Sequence, residues 1–363
     1  MKNKMSNLHP AAVVDRFCDK YKVIIFSVLA VVGFTLPFWA EISRVAYRNL
    51  IMIALYSMLG MGLNVLTGYT GQVSLGHAGF YAIGAYVTAL LMVDGGLNFW
   101  LAALIGACGT ALVGFLLGLP TLRLTGSYLS IVTLGFCEVV IMILKQWESV
   151  TYGNYGVRDI PKPSFFGIEL NLPNGGFYLL ILTLAVLTGI FCNAVKNSKI
   201  GRTFIAIRED ELAATMMGIK TGRYKIIAFT ISAFITGLAG AFYCTINNGY
   251  IEPTNFTFDT SIMILSVVIV GGLGTTRGMV FGAALLWMFP QWFRFLNQWR
   301  FVIYGLLLVL MMRFRPQGAL GWESTLPYRL TKQTKKLLAA RGKPPQAQAA
   351  DNPDPALNKT TEQ

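Results

Sequence analysis

The sequence predicts an all-α integral membrane protein, a polytopic bundle of about ten transmembrane helices. Of the 363 residues, 54% are hydrophobic and only 13% charged, where a soluble domain carries about 25% charged residues. Apolar runs recur along the chain at the length of a bilayer crossing, roughly 20 residues at 1.5 Å each. The net charge of +13 sits in connectors and tails, as the positive-inside rule requires. It is not spread over a nucleic-acid-binding surface, so nucleic acid is excluded as a partner and the lipid bilayer is the expected surrounding.

Residues 1–22 form a polar, basic arm, and the first apolar run is 23–39. This pairing resembles the n- and h-regions of a signal peptide, but no small-residue cleavage site follows Pro37-Phe38-Trp39. The run is therefore read as a retained first helix. Further helices are expected at about 47–66, 77–93, 98–118 and 127–144. The connector 145–176 carries Pro161, Pro163 and Pro173 with several glycines, which favours an ordered external loop over a helix. Helices follow at 177–195, 225–246, 260–274, 279–296 and 301–314. The runs 260–274 and 301–314 are short for a full crossing. The transmembrane domain spans 23–322, and 323–363 reads as a basic cytoplasmic tail whose last part, 342–363, has the composition of a disordered segment.

With the N-terminus in the cytoplasm and ten crossings, 23 of the 30 Lys and Arg fall inside and 7 outside. Both termini are then cytoplasmic, and the protein is a multi-pass component of the cytoplasmic (inner) membrane. The five cysteines, Cys18, Cys108, Cys137, Cys192 and Cys244, are scattered without metal-ligand spacing and read as small packing residues. His9 and His77 are too far apart for an HExxH zinc site.

Three features carry candidate function. Between two apolar runs lies the Gly-rich stretch Leu63 to Gly79, with Thr67, Gly68, Gln72, Ser74, Gly76 and His77. Irregular backbone at membrane depth is tolerated where it lines a water-filled path or is buried in protein, and interrupted segments often mark transport pathways. A tight cytoplasmic loop, with glycines permitting turns and close helix contact, fits the same residues. His77 is expected as a hydrogen-bonded helix-end residue rather than a proton relay. The second feature is Glu138, the one carboxylate deep within a candidate helix. It is expected to face the bundle interior, to be paired or to be protonated. It then acts either as a gate or substrate-ammonium partner, or as an interhelical hydrogen bond. The third is the connector 196–224. Ile205, Leu212, Met216 and Ile219 recur at helical spacing, with Gly218 suited to the C-terminal end. Glu209, Asp210 and Glu211 oppose binding to anionic lipid. An amphipathic helix over about 201–219 that docks in a partner's groove is the expectation.

These residues bear a resemblance. The run Gly68-Tyr69-Thr70-Gly71-Gln72-Val73-Ser74-Leu75-Gly76-His77-Ala78 resembles permeases of the branched-chain amino acid ABC importer family. So do Ala206 to Ala214 with Met217-Gly218-Ile219, Gly237 to Ala241, Val270 to Thr275 and Phe314 to Gly318. The series runs in order over about 45–321 and is most similar to M-type subunits. It implies the ABC importer permease fold. It also implies a second, H-type permease, two cytoplasmic ATP-binding subunits and an extracytoplasmic amino-acid-binding protein as partners. The family's coupling helix carries over onto 201–219, with Arg208, Glu209, Asp210, Glu211, Ala213, Ala214 and Gly218. No GxxxxGK[ST] phosphate loop is present, so the chain is expected to bind no cofactor and to leave ATP to its partners. No clustered carboxylates, metal ligands or activated nucleophile suggest an enzyme. A urea or short-chain amide permease is the alternative within the family, and a self-sufficient secondary transporter centred on Glu138 is the alternative outside it.

Overall fold

A computed structural model of the chain describes residues 43–122, 124, 126–165, 168–169, 176–246, 249–292, 300–314 and 318. The N-terminal arm, the helix expected at 23–39 and the tail 323–363 lie outside the described residues. Nine apolar helices follow in order: α1 (Arg44–Asn64), α2 (His77–Val93), α3 (Phe99–Thr121), α4 (Ser127–Gln146), α5 (Gly176–Asn197), α8 (Thr221–Tyr243), α9 (Phe258–Gly271), α10 (Thr276–Trp292) and α11 (Arg300–Phe314). Two short helices, α6 (Lys199–Glu209) and α7 (Glu211–Met216), stand between α5 and α8. Each coincides with an expected run within a few residues. The run expected to be short at 260–274 is extended in front by the 3₁₀ turn Pro253–Phe256, giving a 19-residue apolar span. Among the described residues, six spans have the length and composition to cross a membrane, and the chain is a multi-pass membrane protein.

The connectors sort onto two sides as the charge pattern predicts. On one side, Arg208 Nη1 donates to the Gly68 carbonyl at 2.7 Å and Lys196 Nζ to the Gly274 carbonyl at 2.7 Å. On the other, Tyr152 Oη donates to Asp94 Oδ1 at 2.7 Å. There too Val157 pairs with Ile251 in an isolated antiparallel bridge, and the Arg158 guanidinium lies 5.6 Å from the Tyr250 ring centre. In its described residues the connector 145–176 is an ordered loop, as expected. It contains the one-turn helix Glu148–Thr151, a 3₁₀ turn at Gly153–Tyr155 and a two-stranded antiparallel hairpin, β1 (Ser164–Phe165) with β2 (Ile168–Glu169).

α1 is buried along most of its length, and α2, α3 and α8 pack into a tight group beside it. Lipid supplies no hydrophobic drive to bring helices together, so close van der Waals contact between small residues must do so. A Cβ on Gly84 would strike the backbone of Gly237, and one on Gly106 would strike Thr88 Oγ1. Buried threonines return their hydroxyls to their own helices: Thr88 Oγ1 to the Gly84 carbonyl at 2.8 Å, and Thr110 Oγ1 to the Gly106 carbonyl at 2.7 Å. Toward the outer end, Phe256 caps an aromatic cluster, 5.1 Å from Tyr81, 6.0 Å from Tyr86 and 5.6 Å from Tyr243. The outer faces carry exposed Leu101, Leu104, Leu112 and Leu116 on α3 and Leu187, Ile190 and Phe191 on α5, which is stable only against lipid or another subunit.

The Gly84–Gly237 crossing yields a direct test. Gly84→Ala forces backbone apart and is expected to destabilise by about 1–3 kcal/mol, the range for overpacking. Gly109→Ala, whose Cβ meets nothing within 4 Å, is expected to be neutral. Thermal unfolding of the two detergent-solubilised variants, followed by fluorescence, checks the difference.

Candidate functional site

α1 does not end in an ordinary cap. Its last turn widens into a π-turn, Val65–Tyr69, and the chain then runs without regular structure to Gly76 before α2 begins at His77. Widened turns of this kind recur at functional positions. The segment is buried, so its polar groups must find partners within the protein. Thr70 Oγ1 donates to the Leu66 carbonyl, Gln72 N–H reaches the same carbonyl at 3.3 Å, and Thr67 Oγ1 donates to the Gln72 carbonyl at 3.0 Å. The Gly68 carbonyl receives Arg208. A Cβ on Gly68 would strike Asn64 Oδ1 and the backbone of Gly274, and Asn64 Oδ1 in turn accepts Gly274 N–H at 2.8 Å. Gly71, at φ +74°, lies where a Cβ would meet Arg208 Cγ at 2.8 Å. Both the strained φ and the close approach require glycine there.

The second half of the break is held by α4 and α8. Leu75 N–H donates to Thr133 Oγ1 at 3.0 Å, and a Cβ on Gly76 would strike the Thr133 carbonyl. His77 is 1% exposed. Its Nδ1 lies 3.1 Å from Ser74 Oγ and its Nε2 2.7 Å from Ser232 Oγ. The Ser232 hydroxyl donates to the Gly62 carbonyl at 2.7 Å and has only lone pairs left for the ring, so Nε2 carries the proton. Nδ1 then accepts from Ser74, whose oxygen takes Gly76 N–H at 3.3 Å. The neutral imidazole satisfies every member of this chain, and His77 is a structural hydrogen-bonding residue at a helix start. Among the described residues, the Gln72 side-chain oxygen is left buried without a partner.

Thr67, Gly68, Gln72, Ser74, Gly76 and His77 are thus brought together. Glu138 is not among them. The inward stripe of α4 is filled by Thr133, Cys137, Val140, Ile141 and Leu144, which turns Glu138 to the exposed outer face. Of the three alternatives expected for Glu138, facing the interior is not met within this single chain. Beside it, a Cβ on Gly135 would meet open space.

The helix expected at 201–219 is corrected: it is two helices. α6 begins at Lys199, with Ser198 Oγ accepting Gly201 N–H at 3.2 Å, and ends at Glu209. Asp210 adopts extended backbone, and its Oδ1 accepts Ala213 N–H at 2.9 Å, capping α7. An Asp competes with helix propagation through this cap. Gly218, at φ +82°, closes the element, with Ile219 N–H returning to the Ala214 carbonyl at 3.1 Å. The break splits the apolar stripe. Ile205 and Ala214 are buried, whereas Leu212, Met216 and Met217 are 68%, 78% and 83% exposed. Glu209 pairs with Arg208 at 2.6 Å, Ala213 is exposed, and Glu211 pairs with buried Lys225 of α8. Sequence reading passed over Ser232, Asn64, Lys196 and Lys225. Lys225 carried a signal, a charge opening an apolar run, but its partner could be found only in space.

Ser232→Ala would leave His77 Nε2–H without an acceptor, and loss of a buried partner costs about 1–3 kcal/mol. The variant is expected to unfold at lower temperature while the assembled protein keeps its activity, measured as thermal stability beside activity per folded molecule.

The sequence profile of the family described as branched-chain amino acid transport system / permease component matches residues 45–312. The chain is 38% identical over 329 residues to the high-affinity branched-chain amino acid transport system permease protein LivM of Salmonella typhimurium, covering 85% of this chain and 76% of that protein. The same figures hold for LivM of Escherichia coli. The permease protein LivH of Salmonella typhimurium is 25% identical over 289 residues, 73% of this chain and 91% of that protein. No solved structure matches the chain. The break after α1, the capped pair α6–α7 and the Gly272–Thr275 loop all lie inside the matched range, and the chain belongs to the family of permease components of branched-chain amino acid transport systems.

Proposed function

We propose that this chain is one permease subunit of an ATP-driven importer that carries branched-chain or related hydrophobic amino acids across the cytoplasmic membrane. Its termini are cytoplasmic, and it pairs with an H-type permease, two ATP-binding subunits and an extracytoplasmic amino-acid-binding protein. The observation that carries the reading is the face of α7. Leu212, Met216 and Met217 stand exposed on a short capped helix, held to the bundle through Glu211–Lys225 and Arg208–Gly68. Exposed methionines and leucine on a rigid mount suit a helix-in-groove contact, and the neighbouring acids disfavour an anionic lipid surface. Similarity to both LivM and LivH supports a two-permease assembly. ATP-driven closure of the partner subunits would displace this element and rock the bundle between two states. The chain itself binds no nucleotide.

Glu138 supports the second part of the reading. A charged side chain at the centre of a membrane helix costs about 3 kcal/mol on insertion scales, so its face is not turned to lipid. We assign it to the water-filled path between the two permeases, where a carboxylate complements the ammonium of an amino acid. Thr67, Gly68, Gln72, Ser74, Gly76 and His77 support that path from behind by fixing the break in α1.

Met216→Glu with Met217→Glu is expected to remove the ATP-binding subunits from the purified complex while the second permease stays bound, read by quantitative mass spectrometry of the pull-down. Retention of both would overturn the docking face. Glu138→Gln is expected to reduce uptake of labelled leucine about tenfold, equivalent to roughly 1.4 kcal/mol, with unchanged abundance in the membrane by immunoblot.

A further inference from the structure

The docking element and the break in α1 are joined at one point. Arg208, near the end of α6, sends Nη1 into the Gly68 carbonyl at 2.7 Å. Its aliphatic stem lies over Gly71, so close that a Cβ there would meet Arg208 Cγ at 2.8 Å. The guanidinium is largely buried and is oriented from its other side by Glu209, 2.6 Å away. A planar fork held by a carboxylate on one side and a carbonyl on the other is a directional link rather than a loose charge.

What Arg208 grips is an irregular part of the bundle. The turn it holds is π-helical, the chain beyond it lacks regular structure to Gly76, and the Gln72 side-chain oxygen is buried without a partner. From this segment contacts lead to the α9–α10 loop through Asn64 and Gly274, and to α2, α4 and α8 through Ser74, His77, Thr133 and Ser232. The second tie of the docking element, Glu211–Lys225, leads only into α8.

We propose that Arg208 is a positioning residue that transmits displacement of the docking element into the broken segment 65–76, so that nucleotide-driven movement of the partner subunits rearranges that segment. This rests on the reading of α6–α7 as the ATPase-docking element. Coupling through it is a property of the contact to Gly68, not of docking, so removing the guanidinium separates hydrolysis from transport without dissolving the complex.

The experiment uses the full transporter in lipid nanodiscs and proteoliposomes, with Val73→Cys as reporter. Val73 is 41% exposed and lies within the segment. Maleimide labelling of this cysteine is read by mass spectrometry in the nucleotide-free and the ATP–vanadate-trapped states, alongside ATP hydrolysis and leucine transport. In the otherwise wild-type protein the labelling rate is expected to differ between the two states. In Arg208→Met, which keeps the stem over Gly71, the two rates are expected to converge. The ATP-binding subunits should still co-purify and hydrolyse ATP there, with transport per ATP hydrolysed down about tenfold, within the usual range of a coupling free energy. Arg208→Lys, which keeps a charged donor, should restore part of the coupling. Arg208→Gln, with a neutral donor on a shorter stem, gives the same reading if the methionine variant fails to accumulate. Normal transport per ATP in Arg208→Met, loss of the ATP-binding subunits from it, or labelling of Val73→Cys indifferent to nucleotide in the parent would each overturn the proposal. A parent complex that contains no ATP-binding subunit would instead overturn the docking reading on which it rests.

Discussion

A helix that stops while still surrounded by protein leaves backbone groups that water cannot reach, and each must be given a partner or carried at a cost of a few kcal/mol. The break after α1 is where this chain meets that constraint most severely. α1 is the most enclosed helix of the bundle, and its last turn widens before Tyr69. The carbonyl of Gly68 is satisfied from α6, the α9–α10 loop is held by Asn64, and the start of α2 is fixed by Ser74, His77 and Ser232. The positions of α6, the α9–α10 loop and α8 are therefore tied to one short irregular stretch, where the motif segments 68–78, 206–214 and 270–275 meet through Arg208 and Gly274.

The rest of the bundle is built to allow that convergence. Backbones of α2 and α8 touch at Gly84 and Gly237, and α3 closes on them through Gly106. Such contacts substitute for the hydrophobic drive that lipid does not provide. Tight packing at the centre leaves the large aliphatic side chains on the outer faces of α3, α5 and α11, where lipid or a neighbouring subunit receives them. On α7 the buried side is one small residue, Ala214, and the large side chains Leu212, Met216 and Met217 stand exposed.

Nearly every described helix was legible in the sequence, because apolar run length in a bilayer is a one-dimensional property and the positive charges mark alternate ends. The segment 77–93 was read to the residue. The α6–α7 segment was legible as amphipathic, but its division at Asp210 was not. Periodicity scores a stripe through a break, whereas the cap from Asp210 to Ala213 depends on a local contest between side chain and backbone. Glu138 was legible as unusual, but its direction was not. Sequence says that a carboxylate must avoid lipid; it does not say whether the shelter lies inside this chain or between this chain and another.

The sequence by itself determined the fold class, the order of the described helices and the family. All of these follow from composition, run length and contiguous motifs. Only the tertiary structure decided that Arg208 ends on Gly68, that His77 is a neutral hydrogen-bonding residue between Ser74 and Ser232, that Glu211 is occupied by Lys225, and that Leu212, Met216 and Met217 stand exposed. These pairings join residues as far apart as 155 positions along the chain. They depend on helix rotation and depth, and those are set by how small residues let the helices seat against each other rather than by any pattern along one segment.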